Sequence, residues 1–352
     1  MNGVLRGIKV IDCSSVLAGP LAGSFLAESG AHVIKVEAPD GDVTRTWLAR
    51  GEHRESTSAY YEAANEGKTV HRVNLKSPEG RSWLARELED ADVLLQNFKW
   101  KDLKAMGLMP DDLAKRFPHL VHVRLVGFEH DADRLAYDVV VQAETGFMSM
   151  NGDPAAPPSR LPVAFMDVLA SHQIRSAVLG GLFERSQTGT APYAEVSLLG
   201  SGLTALANQG TAALMNGTTP ERQGSIHPTI APYGDILVTA NGPIVLAVGS
   251  DAQFGHLCEV LGVPHLIQRQ EFATNPRRVD NREPLMALLN QAAAERDRDG
   301  LLKEFRRSHV PAGAIKTVNE ALEAPEIQRD YVVGEGDNLK LRTSAIRMTR
   351  FH

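Results

Sequence analysis

Asp167 stands in the run Ala164-Phe165-Met166-Asp167-Val168-Leu169, a single carboxylate among apolar neighbours at the head of a long helical stretch. Two roles fit such a group. As a helix N-cap it would accept the first free N–H groups. As a nucleophile it would be desolvated, yet still charged enough to attack a thioester carbonyl. Upstream, Tyr137-Asp138 precedes an apolar stretch holding Gln142 and Gly146. There an anchored aromatic and a second cap are the plain reading. The run Asp12-Cys13-Ser14-Ser15-Val16-Leu17-Ala18-Gly19-Pro20 puts small residues between a strand and a helix. A ligand could approach closely there, and the helix N–H groups could hold an anion. Tight strand–helix packing explains the same residues. Cys13 reads as a packed apolar side chain. Lys68, Lys99, Lys101 and Lys104 are by default solvated charges, and Asn97 closes a strand end.

Other chemistries lack their motifs. No G-x-x-x-x-G-K-[ST], G-x-G-x-x-G or G-x-S-x-G occurs, so a P-loop, a dinucleotide fingerprint and a nucleophile elbow are unsupported. The histidines lack H-E-x-x-H spacing and the two cysteines form no C-x-x-C pair. No metal site is expected.

The elements that must carry these residues alternate. Strands are expected at Ile8–Asp12, His32–Glu37, Val70–Leu75, Asp92–Asn97 and Leu120–Phe128, with helices between, among them Pro20–Glu28 stopping at Gly30 and one opening at Ser77-Pro78-Glu79. That rhythm predicts an α/β domain with a mainly parallel sheet. Long helices are expected at Asp167–Gln187, with Gly189 past its end, and Leu198–Leu214. Met215–Pro232 reads as a linker. Strands Ile236–Thr239 and Ile244–Val248 around Asn241-Gly242 predict a type I′ hairpin. Helices Ala252–Leu261 and Pro284–Arg296 complete a smaller α+β unit, and Asn338–Phe351 looks like a strand.

The chain has 352 residues, 43% hydrophobic and 23% charged, with a net charge of -6. Two domains suit that length. Without basic blocks, nucleic acid is not expected as a partner. Two distant cysteines indicate a reducing compartment, and no signal-like or membrane-length apolar run is present. The expected location is the cytoplasm.

Together the motifs resemble the class III CoA-transferase family, which includes formyl-CoA transferase, carnitine-related CoA-transferases and α-methylacyl-CoA racemases. The resemblance runs from Leu5 to about Gln328. It is carried by Gly7-Ile8-Lys9-Val10-Ile11-Asp12 with Ala18-Gly19-Pro20, by Gly30 to Glu37, by Leu75 to Gly80, and by Ala91 to Leu94 with Asn97-Phe98. Ala136-Tyr137-Asp138 with Asp167, His227-Pro228 with Ala231-Pro232-Tyr233, and Phe272 to Asn275 extend it.

The resemblance implies a Rossmann-like large domain over 1–200, completed by 325–352. It implies linkers at 201–225 and 311–324, a small α+β domain at 226–310, and an interlocked homodimer. It makes Asp167 the catalytic carboxylate, with Tyr137 and Asp138 beside it, acting on acyl-CoA and a carboxylic acid. The intermediates would be an aspartyl anhydride and an aspartyl-CoA thioester. No permanently bound cofactor or metal is implied, since coenzyme A arrives as substrate. Ser15, Val16 and Leu17 match the loop touching CoA, Lys68 a phosphate-binding cation, and Asn97 and Phe98 the pantetheine and adenine path. Ala38 and Ala105 stand where basic residues are frequent, with Arg45, Lys99 and Lys104 as replacements.

Two rival readings accompany this one. Racemases of the family place His where this chain has Tyr137. A neutral imidazole exchanges a proton near neutral pH, whereas a phenol with a reference pKa of ~10 does so poorly. Asp251 lies near another racemase acid. A non-catalytic CoA-binding protein is the other alternative. Arg222 and His227 are candidates for a second carboxylate of the substrate, against a plain linker role.

Overall fold

The computed structural model describes residues 3–53, 57–131 and 134–349. The chain divides into two compact units. One gathers the described residues of Met1–Met148, Arg160–Pro220 and Arg329–His352, and the other Ser149–Ser159 and Glu221–Gln328.

The larger unit is built on β1 (Lys9–Cys13), β2 (His32–Glu37), β3 (Thr69–Arg72), β4 (Val93–Gln96), β5 (Val121–Val126) and β6 (Tyr193–Ser197). Every pairing is parallel, and the strands lie in the order β3-β2-β1-β4-β5-β6. A parallel sheet is covered on both faces, so its strands read as continuous apolar runs rather than alternating ones. Val10, Val93 and Val123 face α1 (Ala18–Glu28) and the long helix Phe165–Thr188, while Ile11, Ile34 and Leu94 face the opposite core.

The remaining helices of this unit are α2 (Ala59–Asn65), α3 (Pro78–Glu89), α4 (Trp100–Met106), α5 (Pro110–Arg116), α6 (Asp138–Glu144), the first half of the short α7 (Phe147–Met150), α8 (the helix Phe165–Thr188), α9 (Leu198–Ala205) and α10 (Ala207–Asn216). Ser77 caps α3 by accepting from the Gly80 N–H, and Pro78 occupies its first turn. Gly189 ends α8 in the left-handed conformation that glycine tolerates. Near the C-terminus, the Thr343 N–H and hydroxyl donate to Glu28 on α1.

The smaller unit holds β7 (Tyr233–Thr239), β8 (Gly242–Ala247) and β9 (Ala312–Ala314), all antiparallel. Its core is formed with α11 (Asp251–Val260), α13 (Arg282–Ala293) and α14 (Arg298–Arg307), with the short α12 (Asn275–Asp280) before α13.

Several expected elements differ. The stretch Leu198–Leu214 is two helices, broken where Ala207 takes φ +43°. Residues 201–225, expected as a linker, therefore contain most of α9 and all of α10. Residues 311–324 include β9, which pairs with β8. The hairpin turn is Ala240-Asn241, because Gly242 pairs with Thr239 and belongs to the strand. The tail pairs only at Lys340–Leu341, against Val332–Val333. The rest of its described residues form no strand, and Phe351 lies outside them.

Candidate active site

In an open parallel sheet the crevice lies beyond the strand C-termini, where the strand order reverses. Here that point falls between β1 and β4. Ser15 follows β1 and Asn97 follows β4. The Ser15 N–H and hydroxyl donate to Asn97 Oδ1 at 3.2 and 3.4 Å, and Asn97 Nδ2 donates back to the Ser15 carbonyl at 3.2 Å.

A cleft of about 850 Å³ opens at this junction. Ser15, Val16, Asn97, Phe98, Lys99, Tyr137, Asp138 and Asp167 all line it. A second cleft, about 1220 Å³, is walled by Val36, Val73, Leu75 and Met106 and carries Lys76. Ser15 and Phe98 line both.

Asp167 sits in the first turn of α8 but does not cap it. The helix begins at Phe165, with Ala164 in the cap position and no side-chain cap of its own. The cap comes from another element. Asp138, the first residue of α6, accepts the Met166 N–H at 2.7 Å and Gln142 Nε2 at 2.5 Å. Gln142, fully buried, in turn accepts the Leu161 N–H at 2.7 Å. The segment leading into α8 is thereby fixed, and Asp167 with it.

The electrostatics follow from burial. A helix N-terminus favours a carboxylate, yet Asp167 is pushed up to about 7. Desolvation is the larger cause and the Asp138 charge the second, with no hydrogen bond in opposition. Tyr60 on α2 is pushed up to about 12 by burial and then by the charges of Asp167, Asp138 and Asp42. Its ring packs edge-on against Trp47, 5.3 Å away.

The family model for CoA-transferase family III matches residues 5–351. The chain belongs to this family. Succinate–glutarate CoA-transferase of Agrobacterium fabrum is 36% identical over 332 residues, 92% of this chain and 83% of that protein. Human succinyl-CoA:glutarate CoA-transferase is 32% identical, covering 100% of this chain and 82% of its own. The crystal structure of a CAIB/BAIF family protein from Brucella suis superposes with a TM-score of 0.90 at 36% identity, covering 99% of this chain and 93% of that one. The chain is thus a class III CoA-transferase, an enzyme acting on CoA thioesters.

Within this transferase, some expected contacts are elsewhere than the sequence suggested. Lys68 lines neither cleft. Its side chain is fully buried and donates to Asp12 Oδ2 at 2.9 Å, to Asn65, and to the Pro20 and Ala64 carbonyls. Burial pushes it down to about 8, against the opposing pull of Asp12. Arg45 is spent on Glu37, donating through Nε at 2.8 Å and Nη2 at 2.9 Å, with its guanidinium over the Tyr61 ring. Lys104 is exposed on α4 and lines neither cleft, and Leu17 lines neither. Cys13 is buried, its thiol pushed up by desolvation. The racemase-like acid Asp251 is paired with the buried Arg278 at 2.6 Å. Arg222 donates to the Asp153 and Ser149 carbonyls, and the His227 ring packs edge-on against Tyr233 at 5.3 Å.

Sequence reasoning missed Lys35, Asp42, Lys76, Arg124 and Arg134. Arg124 lies in the buried strand β5 and lines the first cleft, its guanidinium over Trp100 and bonded to the Phe98 carbonyl and Glu195. A cation inside an apolar strand was the available signal for both Arg124 and Lys35.

Proposed function

We propose that this chain moves CoA from an acyl-CoA thioester to a carboxylic acid through covalent intermediates on Asp167. The observation that carries the reading is the position of Asp167: an unpaired carboxylate, half-charged near neutrality, in the wall of the cleft at the β1–β4 junction.

The adenine end of CoA would occupy the apolar second cleft, and the pantetheine arm would cross Ser15 and Phe98 towards Asp167. Lys76 and Lys99 line these clefts and take the phosphate-facing role expected of Lys68 and Arg45.

An Asp167 oxygen attacks the thioester carbonyl carbon. The C–S bond breaks, leaving an aspartyl anhydride and CoA thiolate. The thiolate attacks the Asp167 carbonyl carbon and expels the donor acid as its carboxylate. An acceptor carboxylate then attacks the aspartyl thioester, and the same two exchanges run in reverse. Each step exchanges a carboxylate for a thiolate or the reverse, and over the cycle one carboxylate replaces another, so no external proton or oxidant is required. A nucleophile held near pH 7 by burial is charged in about half the molecules yet poorly solvated, which favours attack.

The relatives named for succinate and glutarate favour a short dicarboxylic acid as substrate. Incubating the chain with succinyl-CoA and a panel of acids, with mass detection of new thioesters, tests this. Glutarate and similar dicarboxylates should be converted to their CoA thioesters, with release of succinate. Failure with every acid would contradict the reading. A homodimer is part of the proposal, supported by the exposed Leu214 and Met215 ending α10. Light scattering should give twice the chain mass of 38.2 kDa.

A further inference from the structure

Val16 adopts φ +72° in the loop between β1 and α1. A β-branched residue is strained there, and such a conformation persists only where its surroundings enforce it. The enforcing group is visible. The Val16 N–H donates to Asp42 Oδ2 at 3.2 Å. Asp42 is itself buried and held from several sides. Thr44 donates to its Oδ1 through both the backbone N–H, 3.0 Å, and the hydroxyl, 2.8 Å. Lys35, fully buried in β2, lies 3.3 Å from Oδ2 and also donates to the Ser14 carbonyl.

One ammonium therefore ties Asp42 and the CoA-facing loop together. Gly19 keeps the loop tight from the other side, because a Cβ there would sit 2.3 Å from Ser14 Oγ.

We propose that Asp42 is a positioning residue for acyl-CoA: its carboxylate, anchored by Lys35, holds Val16 in the left-handed conformation that shapes the cleft wall. Asp42 also borders the second cleft, and the double variant below separates an effect through Val16 from direct contact with CoA. The inference rests on the assignment of this loop to the acyl-CoA site.

The test is a double-variant cycle with steady-state kinetics. Glycine adopts φ +72° without strain, so Val16→Gly frees the loop from its need for Asp42. Asp42→Asn should raise KM for acyl-CoA about tenfold, the scale of one lost charged hydrogen bond, with a smaller effect on kcat. Val16→Gly alone should raise KM only a few-fold, through lost wall contact. The double variant should return to the Val16→Gly value. A residue acting only on global stability would give no such rescue. A double variant as poor as Asp42→Asn, or worse, overturns the proposal. If Asp42→Asn does not fold, Asp42→Ser keeps the acceptor for the Thr44 N–H and enters the same cycle. If Val16→Gly leaves KM unchanged, the loop is not part of the acyl-CoA site and the underlying assignment fails instead.

Discussion

Asp138 both caps the helix that carries Asp167, through the Met166 N–H at 2.7 Å, and raises the Asp167 carboxyl by its own charge. Two carboxylates are thus set to different tasks by their surroundings. One is satisfied by N–H donors, and the other is left dry and unpaired.

This pairing predicts the pH profile. Attack needs the Asp167 carboxylate, whose raised value is about 7. Below it, kcat/KM should fall about tenfold per pH unit. Asp138→Asn keeps an oxygen for the Met166 N–H but removes the charge, so the acidic limb should move to lower pH. An unchanged limb would mean that another group controls it.

Asp167→Asn should make the protein more stable while abolishing transfer. A carboxyl whose folded value lies above its ordinary 3.8 destabilises the fold once it ionises. The penalty is absent below the unfolded value, grows as pH rises, and is complete above about 7. Thermal unfolding at pH 8 should therefore occur roughly 2–5 °C higher in the variant. At pH 4 the difference should vanish. Equal stability at both pH values would contradict the desolvated state of this group.

Lys68→Met separates structural from ligand roles. Removing one partner of a buried ion pair leaves Asp12 uncompensated and should cost roughly 3–5 kcal/mol. Chemical denaturation should show that loss. Among variants that remain folded, KM for acyl-CoA should change far less than for Lys76→Met. The opposite ranking would return Lys68 to the phosphates.

Tyr137, 55% exposed in the cleft lining, stands where the family resemblance puts the racemase histidine, and Asp251 is tied to Arg278. No α-proton exchange is expected. Incubation with a 2-methylacyl-CoA in D₂O, followed by mass spectrometry, should show no deuterium at the α-carbon. Incorporation would revive the racemase reading.

The β-α alternation was legible because it rests on local pattern, apolar runs and turn residues, whereas the grouping of Ser15, Asn97, Tyr137 and Asp167 came from the family resemblance, each residue alone also fitting a cap, a turn or an anchored aromatic. What escaped depended on distant partners. Asp167 looked like a cap because the true cap, Asp138, lies 28 positions before Met166 in the chain. Lys68 looked available because Asp12, its partner, is 56 positions away. The break at Ala207 is not marked by a glycine or proline of its own: Gly200, Gly202 and Gly210 lie inside α9 and α10, away from it. β9 is only three residues, Ala312–Ala314, without β-propensity, and exists because β8 offers it an edge.

Intact-protein and peptide mass spectrometry after brief exposure to acyl-CoA, with hydroxylamine trapping, reaches the central claim directly. The account predicts a hydroxamate on Asp167 in the native chain and none in Asp167→Asn. Transfer proceeding with that side chain never modified, or an adduct on some other residue, would contradict it.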